Sequence, residues 1–493
     1  MATTASAHPD QVLEQAIGAL SRGDPEAWIA PVEQIVRQQP GNARAWQVHG
    51  LLHRHADRRE RAIPSLRRAA QLAPADPKIA HALARTLREA GLPSLDEYGA
   101  ALRLSPGNPD ILLDITGVLV AEGRSAEARQ GLQQVLQRSP RWAAGHNVLS
   151  QLRWLDGERE GFTSNFDEAL RLHPDDLALR REQILTLMHA EQYDAVLRAI
   201  ADGRKQVGEQ LLFQANEATA YAELGELERA DALFARLPPN TDAPIAVRRV
   251  RHLLRSGRLT HAAELLDHWL ATDQATSFWP YAAVTWRALG DPRWAWLEGD
   301  ERFIGVYDLF DRLPDLDQLA AKLRRLHTTH GQPLVQSVRG GTQTDGNLFE
   351  LIDPTIVALR EAIRSAVAEH VNPLPAHDPG HPLLKPKREP IRFSGAWSVR
   401  LAAGGQHASH VHPMGWFSSA LYIVLPPDLG RDGAGFLTLG EAPPQLGLDL
   451  PPIKVVEPKP GRLALFPSTM WHGTRPFSDG ERMTVAFDVA IPR

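Results

Sequence analysis

The prolines at 74, 106, 140 and 174 recur at spacings of 32, 34 and 34 residues, and no other feature constrains the fold as much. Each closes an amphipathic run of helical period, such as "SAEARQGLQQVLQRSP" and "FTSNFDEALRLHP". A phase held over four prolines implies one structural unit repeated along the chain. In the stretch "AWQVHGLLHRHADRRERAIPSLRRAAQLAP", residues 45–74, Gly50, Ala62 and Ala69 are small and Trp46 and Leu66 are bulky. Small residues let two antiparallel helices approach, and bulky ones fill the gap to the next pair.

Trp46, Gly50, Ala62, Leu66, Ala69 and Pro74 stand where a tetratricopeptide repeat wants them, so this unit resembles one. The register returns at Ala218, Tyr221, Ala230 and Phe234 and fades through "LTHAAELLDHWLA" and "YAAVTWRALGDPRWAWL". About eight helix-turn-helix units are expected over residues 9–297, forming an all-α solenoid. The resemblance implies a concave face that binds a protein or peptide, without naming it.

At 493 residues the chain is expected to hold more than one domain. A net charge of −5 argues against a nucleic-acid binder, so no nucleic-acid partner is expected. There is no cysteine, which excludes disulfides, thiolate ligands and cysteine nucleophiles. The start "MATTASAHPDQVLEQ" lacks the basic and apolar regions of a signal peptide. No apolar run is long enough for a membrane helix. A cytoplasmic protein with no membrane partner is the expectation; the oligomeric state stays open.

The texture changes after residue 300. Residues 298–316 read as a connector, and residues 317–493 as a second domain on a different plan. "DPTIVALREAIRSAVAEHV" predicts a helix, and "NPLPAHDPGHPLLKPKREP" must be irregular. Short strands are expected in "GAWSVRLA", "SSALYIVLP", "GFLTLG", "RLALFPS" and "RMTVAFDVAI". Many short strands broken by Gly and Pro indicate an antiparallel sandwich or closed jelly roll, here with flanking helices. "RGGTQTDG" reads equally as a lid loop or a tight turn.

"HASHVHPMGW", residues 407–416, sets His410 and His412 two apart. On a strand that spacing points both imidazoles to one face. His472 is expected at the end of another strand. Beyond it, alternation puts Arg482, Thr484, Ala486 and Asp488 on one face of "RMTVAFDVAI". A metal site at a barrel mouth with an arginine deeper inside suits a chelating dicarboxylic acid, whose far carboxylate the guanidinium fork would take. His407, three residues before His410, is expected to face the other way. Trp397 and Trp471 read more readily as barrel core than as substrate clamps. Arg400 reads more readily as the partner of a structural carboxylate than as a cavity residue.

Segment 332–493 resembles the 2-oxoglutarate/iron(II)-dependent oxygenases, in particular a bacterial group carried behind tetratricopeptide repeats. "RGGTQT", "GAWSVRLAAGG", "HVHPMGWFSSALYIVLP", "GRLALFPSTMWHGT" and "RMTVAFD" carry the resemblance. It implies a double-stranded β-helix of the cupin-like, jelly-roll kind, iron(II) as cofactor, and 2-oxoglutarate and dioxygen as co-substrates. His410 and His472 become the imidazole ligands, Arg482 and Thr484 the anchor of 2-oxoglutarate, and Tyr422 a phenolic partner. The implied reaction hydroxylates a C–H bond while 2-oxoglutarate becomes succinate and carbon dioxide. A protein or peptide held by the repeats is the expected substrate. The alternatives are a small metabolite, or a repeat scaffold with a retired barrel.

The family's pattern has Asp or Glu where this chain has His412. Three readings follow. His412 is a third ligand, making His410, His412 and His472 the metal-binding and catalytic set. Or it swings aside and leaves two histidines and water. Or a carboxylate such as Asp488 completes the set, or the site is dead.

Overall fold

The structure, a computed structural model, describes residues 8–238, 242–329, 331–426, 429 and 433–492. The first seven residues of the opening stretch judged to lack a signal peptide lie outside them. Each of the four phased prolines sits in a turn between helices. Two residues after three of them, at Asp76, Asn108 and Asp176, a side chain caps the next helix by accepting from backbone N–H groups. Pro40 with Asn42 repeats the device. Proline stops one helix and Asx starts the next, so the period is written in turn chemistry as well as in apolar faces.

The described residues fall into two compact units, residues 1–132 with 346–357, and residues 133–345 with 358–493. The N-terminal part is an all-helical, tetratricopeptide-like solenoid, with eighteen α-helices described between Pro9–Arg22 and Arg293–Glu298. In the first unit, helices Ala43–His55 and Arg59–Leu72 touch at Gly50, where a Cβ would stand 2.6 Å from Leu66 Cγ. That approach is why the position is glycine.

The second unit adds nine strands: β1 Gly305–Asp308, β2 Val338–Gln343, β3 Phe393–His407, β4 Gly415–Val424, β5 Leu437–Leu439, β6 Lys454–Val456, β7 Arg462–Pro467, β8 His472–Thr474 and β9 Arg482–Ala490. One antiparallel sheet has the order β1-β7-β4-β9-β3-β2 and the other β6-β5-β8. Both line one cavity, consistent with a jelly-roll oxygenase domain. The helix expected from "DPTIVALREAIRSAVAEHV" runs from Pro354 to Val371.

Several expectations change. Residues 305–308, read as connector, form β1 and pair with β7. "RGGTQT" is neither lid nor tight turn, because it lies largely in β2, an edge strand on β3. His472 does not end a strand: β7 stops at Pro467, and His472 opens β8 in the other sheet. His410 and His412 precede β4 and belong to no named strand.

The fading of the repeat pattern has a physical cause. Helices Leu259–Leu270, Trp279–Leu289 and Arg293–Glu298 share a core with barrel loops rather than with a further repeat. Trp269, Tyr281 and Trp286 pack in one cluster with Ala442, Leu446 and Trp471, and Val411 packs against it. Trp471 Nε1 donates to the Pro280 carbonyl at 2.9 Å. Arg287 and Arg255 donate to the carbonyls of Gly440 and Gln445. A second link is Leu334, buried among Trp154, Phe162, Ile184 and Phe213 of the middle repeats. Beside it, Gly331 passes so close to Leu155 that a Cβ would meet that carbonyl oxygen at 2.3 Å.

The fragment 317–493 lacks β1 and strips the cover from Trp471, a loss of the kind that costs about 3–5 kcal/mol for one large aromatic. It is expected to show no cooperative thermal transition by near-ultraviolet circular dichroism. The fragment 133–493 is expected to unfold cooperatively. A sharp transition in 317–493 would show the barrel to be independent of the helices.

Candidate functional site

Two backbone hydrogen bonds join the histidine segments, His410 N–H to His472 O at 2.9 Å and His472 N–H to His410 O at 3.0 Å. This isolated antiparallel bridge keeps the segment extended, so His410 and His412 share a side while Val411 turns into the helical core. One ring nitrogen from each of His410, His412 and His472 lies within 4.8 Å of the others. Among the described residues this is the one such histidine or carboxylate cluster fit for a metal ion.

The outer nitrogens are already committed. Nδ1 of His410 lies 2.8 Å from the Ala408 carbonyl, and Nδ1 of His472 lies 2.9 Å from that of Met470. A carbonyl only accepts, so both Nδ1 atoms carry the proton and Nε2 keeps its lone pair. Nδ1 of His412 faces both oxygens of Asp488, at 2.8 and 2.6 Å. Burial, and then the His412 charge, holds the pKa of His410 down at about 3. Burial, with the neighbouring histidines, holds His472 well below its ordinary value. Neutral imidazoles fixed in one tautomer are what a divalent metal takes, and the residues fit such an ion.

Asp488 therefore stands behind His412 and outside the donor cluster. The reading in which Asp488 is itself a ligand is corrected by this geometry, because both its oxygens face an imidazole. His407 is corrected too. It lines the same cavity as the cluster, its ring stacked on His410 with centroids 6.0 Å apart. The count of three assumed one continuous strand, but β3 ends at His407 and the chain turns through Ala408 and Ser409.

Arg482 and Thr484 also line this cavity, as does Trp397, whose ring lies 5.6 Å from that of His412. Arg482 is 1% exposed, and its guanidinium carbon lies 5.2 Å from the centre of the Tyr422 ring. Burial lowers its pKa, opposed by Tyr422, and among the described residues no carboxylate acts on it. Its Nε and the Tyr422 hydroxyl are buried and find no hydrogen-bond partner among the described residues. A buried cation with no anion beside it is costly, and this one borders the cavity. Arg400 faces away and pairs with Glu481, a structural carboxylate. Trp471 is core, as its bond to Pro280 shows.

Sequence reasoning missed Ser337 and Ser418. Ser337 Oγ lies 3.1 Å from His407 Nδ1 and 3.2 Å from His410 Nε2, so it caps the nitrogen that a metal would take. Only the pairing of β2 with β3 brings it there, and nothing local announces it. Ser418 did leave a signal, a pair of serines in the otherwise apolar strand "GWFSSALYIV".

With this geometry in place, two family models match segments of the chain. Residues 395–488 match the family described as "Putative 2OG-Fe(II) oxygenase", and residues 95–152 match "Tetratricopeptide repeat". The chain carries tetratricopeptide repeats and a domain of that oxygenase family. No curated protein matches it. Solved structures that it is similar to include MamA, PilW and a tetratricopeptide repeat protein. MamA is 15% identical over 33% of this chain and 90% of its own, with a TM-score of 0.29. PilW, titled a widely conserved type IV pilus biogenesis factor, is 17% identical over 49% and 98%, with a TM-score of 0.28. A tetratricopeptide repeat protein from Parabacteroides merdae is 16% identical over 47% and 94%, with a TM-score of 0.30.

Loading with cobalt(II) tests the donor set of the oxygenase domain. Replacing His410, His412 or His472 with Ala is expected to weaken binding by at least about tenfold. His407→Ala is expected to leave it unchanged within a small factor, read by competition against a coloured chelator.

Proposed function

We propose that the chain is an iron(II)- and 2-oxoglutarate-dependent hydroxylase. In this reading His410, His412 and His472 hold the metal through Nε2, while Arg482 and Thr484 take the distal carboxylate of 2-oxoglutarate. The observation that carries the reading is a buried guanidinium without an acid partner among the described residues, in the same cavity as three clustered imidazoles. A retired barrel has no reason to keep that unpaired cation.

Iron(II) with 2-oxoglutarate and dioxygen supplies hydroxylation of a substrate C–H bond, with succinate and carbon dioxide as co-products. The protein's residues orient and exclude. Ala408 and Met470 carbonyls hold two rings by their Nδ1 protons, which leaves Nε2 of His410 and His472 to serve as donors. The Ser337 hydroxyl must turn from His410 Nε2 to release it. Tyr422 covers the guanidinium with its ring and keeps water from it. Arg482 then meets the incoming carboxylate in a charge-assisted pair whose strength the dry surroundings preserve.

Anaerobic titration with iron(II) and then 2-oxoglutarate tests the reading. A visible charge-transfer band is expected in the wild type and absent in His410→Ala and His472→Ala. Arg482→Ala is expected to need about thirtyfold or more 2-oxoglutarate, since a lost buried charge partner costs at least about 2 kcal/mol. A folded, metal-loaded wild type without the band would end this reading.

The substrate we infer is a side chain of a protein or peptide brought by the repeats. The support is arithmetic: tethering turns the catalytic encounter into an intramolecular one, so a barrel of weak intrinsic affinity suffices. In a cell extract supplied with isotopically heavy dioxygen, the full chain is expected to add one heavy oxygen to a protein. Label confined to small molecules would assign the substrate to metabolites instead.

A further inference from the structure

Asp488 is held by two side-chain donors. Its carboxylate accepts from His412 Nδ1 at 2.8 and 2.6 Å, and Oδ1 accepts from Ser418 Oγ at 2.6 Å. Ser418 lies directly across from it in the β4–β9 register. The Ser418 hydroxyl has one proton, which goes to Asp488, so at 2.9 Å it accepts from the Ser468 hydroxyl. Ser468 closes the circuit, since its backbone carbonyl accepts from His412 N–H at 2.8 Å. Among the described residues no Lys or Arg pairs with Asp488, and His412 is its one ion-pair partner.

Such a circuit does more than fill a sheet. A carboxylate ligand would lower the site's net charge by one, and three neutral imidazoles do not. An Asp one imidazole away restores that unit of charge without occupying a coordination position. It also raises the basicity of the ring's far nitrogen and fixes its direction. We propose that Asp488 is the positioning residue of the metal centre, supplying through His412 the charge that a carboxylate ligand would otherwise carry. The inference rests on reading His410, His412 and His472 as the metal-binding set. It also predicts a specific coupling: a carboxylate at position 412 makes Asp488 redundant and places two like charges side by side.

The test uses the full chain, cobalt(II) for affinity and bound iron for the potential. Asp488→Asn keeps the shape and an accepting oxygen but removes the charge. It is expected to weaken cobalt(II) binding by about 10- to 100-fold and to raise the iron(III)/iron(II) potential. In a His412→Asp background the same substitution is expected to tighten binding, an inversion that a merely structural role does not produce. Equal affinity and potential in wild type and Asp488→Asn, or the same loss in both backgrounds, would overturn the proposal. A folded wild type that takes up no cobalt(II) would remove the metal reading itself, and this one with it. An independent measurement needs no variant. In zinc-loaded protein with 15N-labelled histidine, His412 is expected to show an Nδ1 proton, the furthest downfield of the three. A His412 bound through Nδ1, with no proton there, would refute the assignment.

Discussion

The paired backbone hydrogen bonds between His410 and His472 decide where chemistry can happen in this molecule. One histidine follows the end of a strand in the larger sheet, and the other opens a strand in the smaller. Without the bridge, neither sheet alone could bring the rings into one cluster. The bridge also enforces alternation over three residues, so Val411 must point away from His410 and His412. It points into an apolar cluster of helices, and burial there keeps the extended segment in place. The placing of the two histidines is thus maintained by ordinary hydrophobic packing on the opposite side of the backbone.

Much of the fold was legible because its signals are local. A period of 34 residues needs no tertiary knowledge, and the turns that enforce it are spelled by Pro and Asx. The five strands expected in the C-terminal region are all found, since each is a short apolar run between Gly and Pro. Strands β1, β2, β6 and β8 were not foreseen. They are short or glycine-rich, and they exist because a partner strand is there to pair with.

The site divides the same way. His410 and His412 face one side by a rule of period two, and the same rule puts Arg482, Thr484 and Asp488 on one cavity wall. His407 defeated that rule because strand β3 ends there. Asp488 was visible as a nearby carboxylate, but whether it binds a metal or an imidazole depends on distances that a sequence does not contain. Ser337 was invisible, since its neighbour across β3 lies seventy residues away in the chain.

Leu334 ties the wall of the cavity to the repeats: it is seated among Phe162, Ile184 and Phe213, and Ser337 follows three residues later against His410. A protein interior is packed too closely to absorb a change of volume at such a seat without a shift nearby. The consequence is one of descent. A substitution among those repeat residues alters the anchorage of a segment that touches the histidine cluster, so the two parts must accumulate changes together. Recombination at the point where the sequence changes texture would join halves that no longer share a core. This barrel is therefore tied to the lineage of its own repeats, and grafting it behind a foreign solenoid would mean remaking the seat of Leu334.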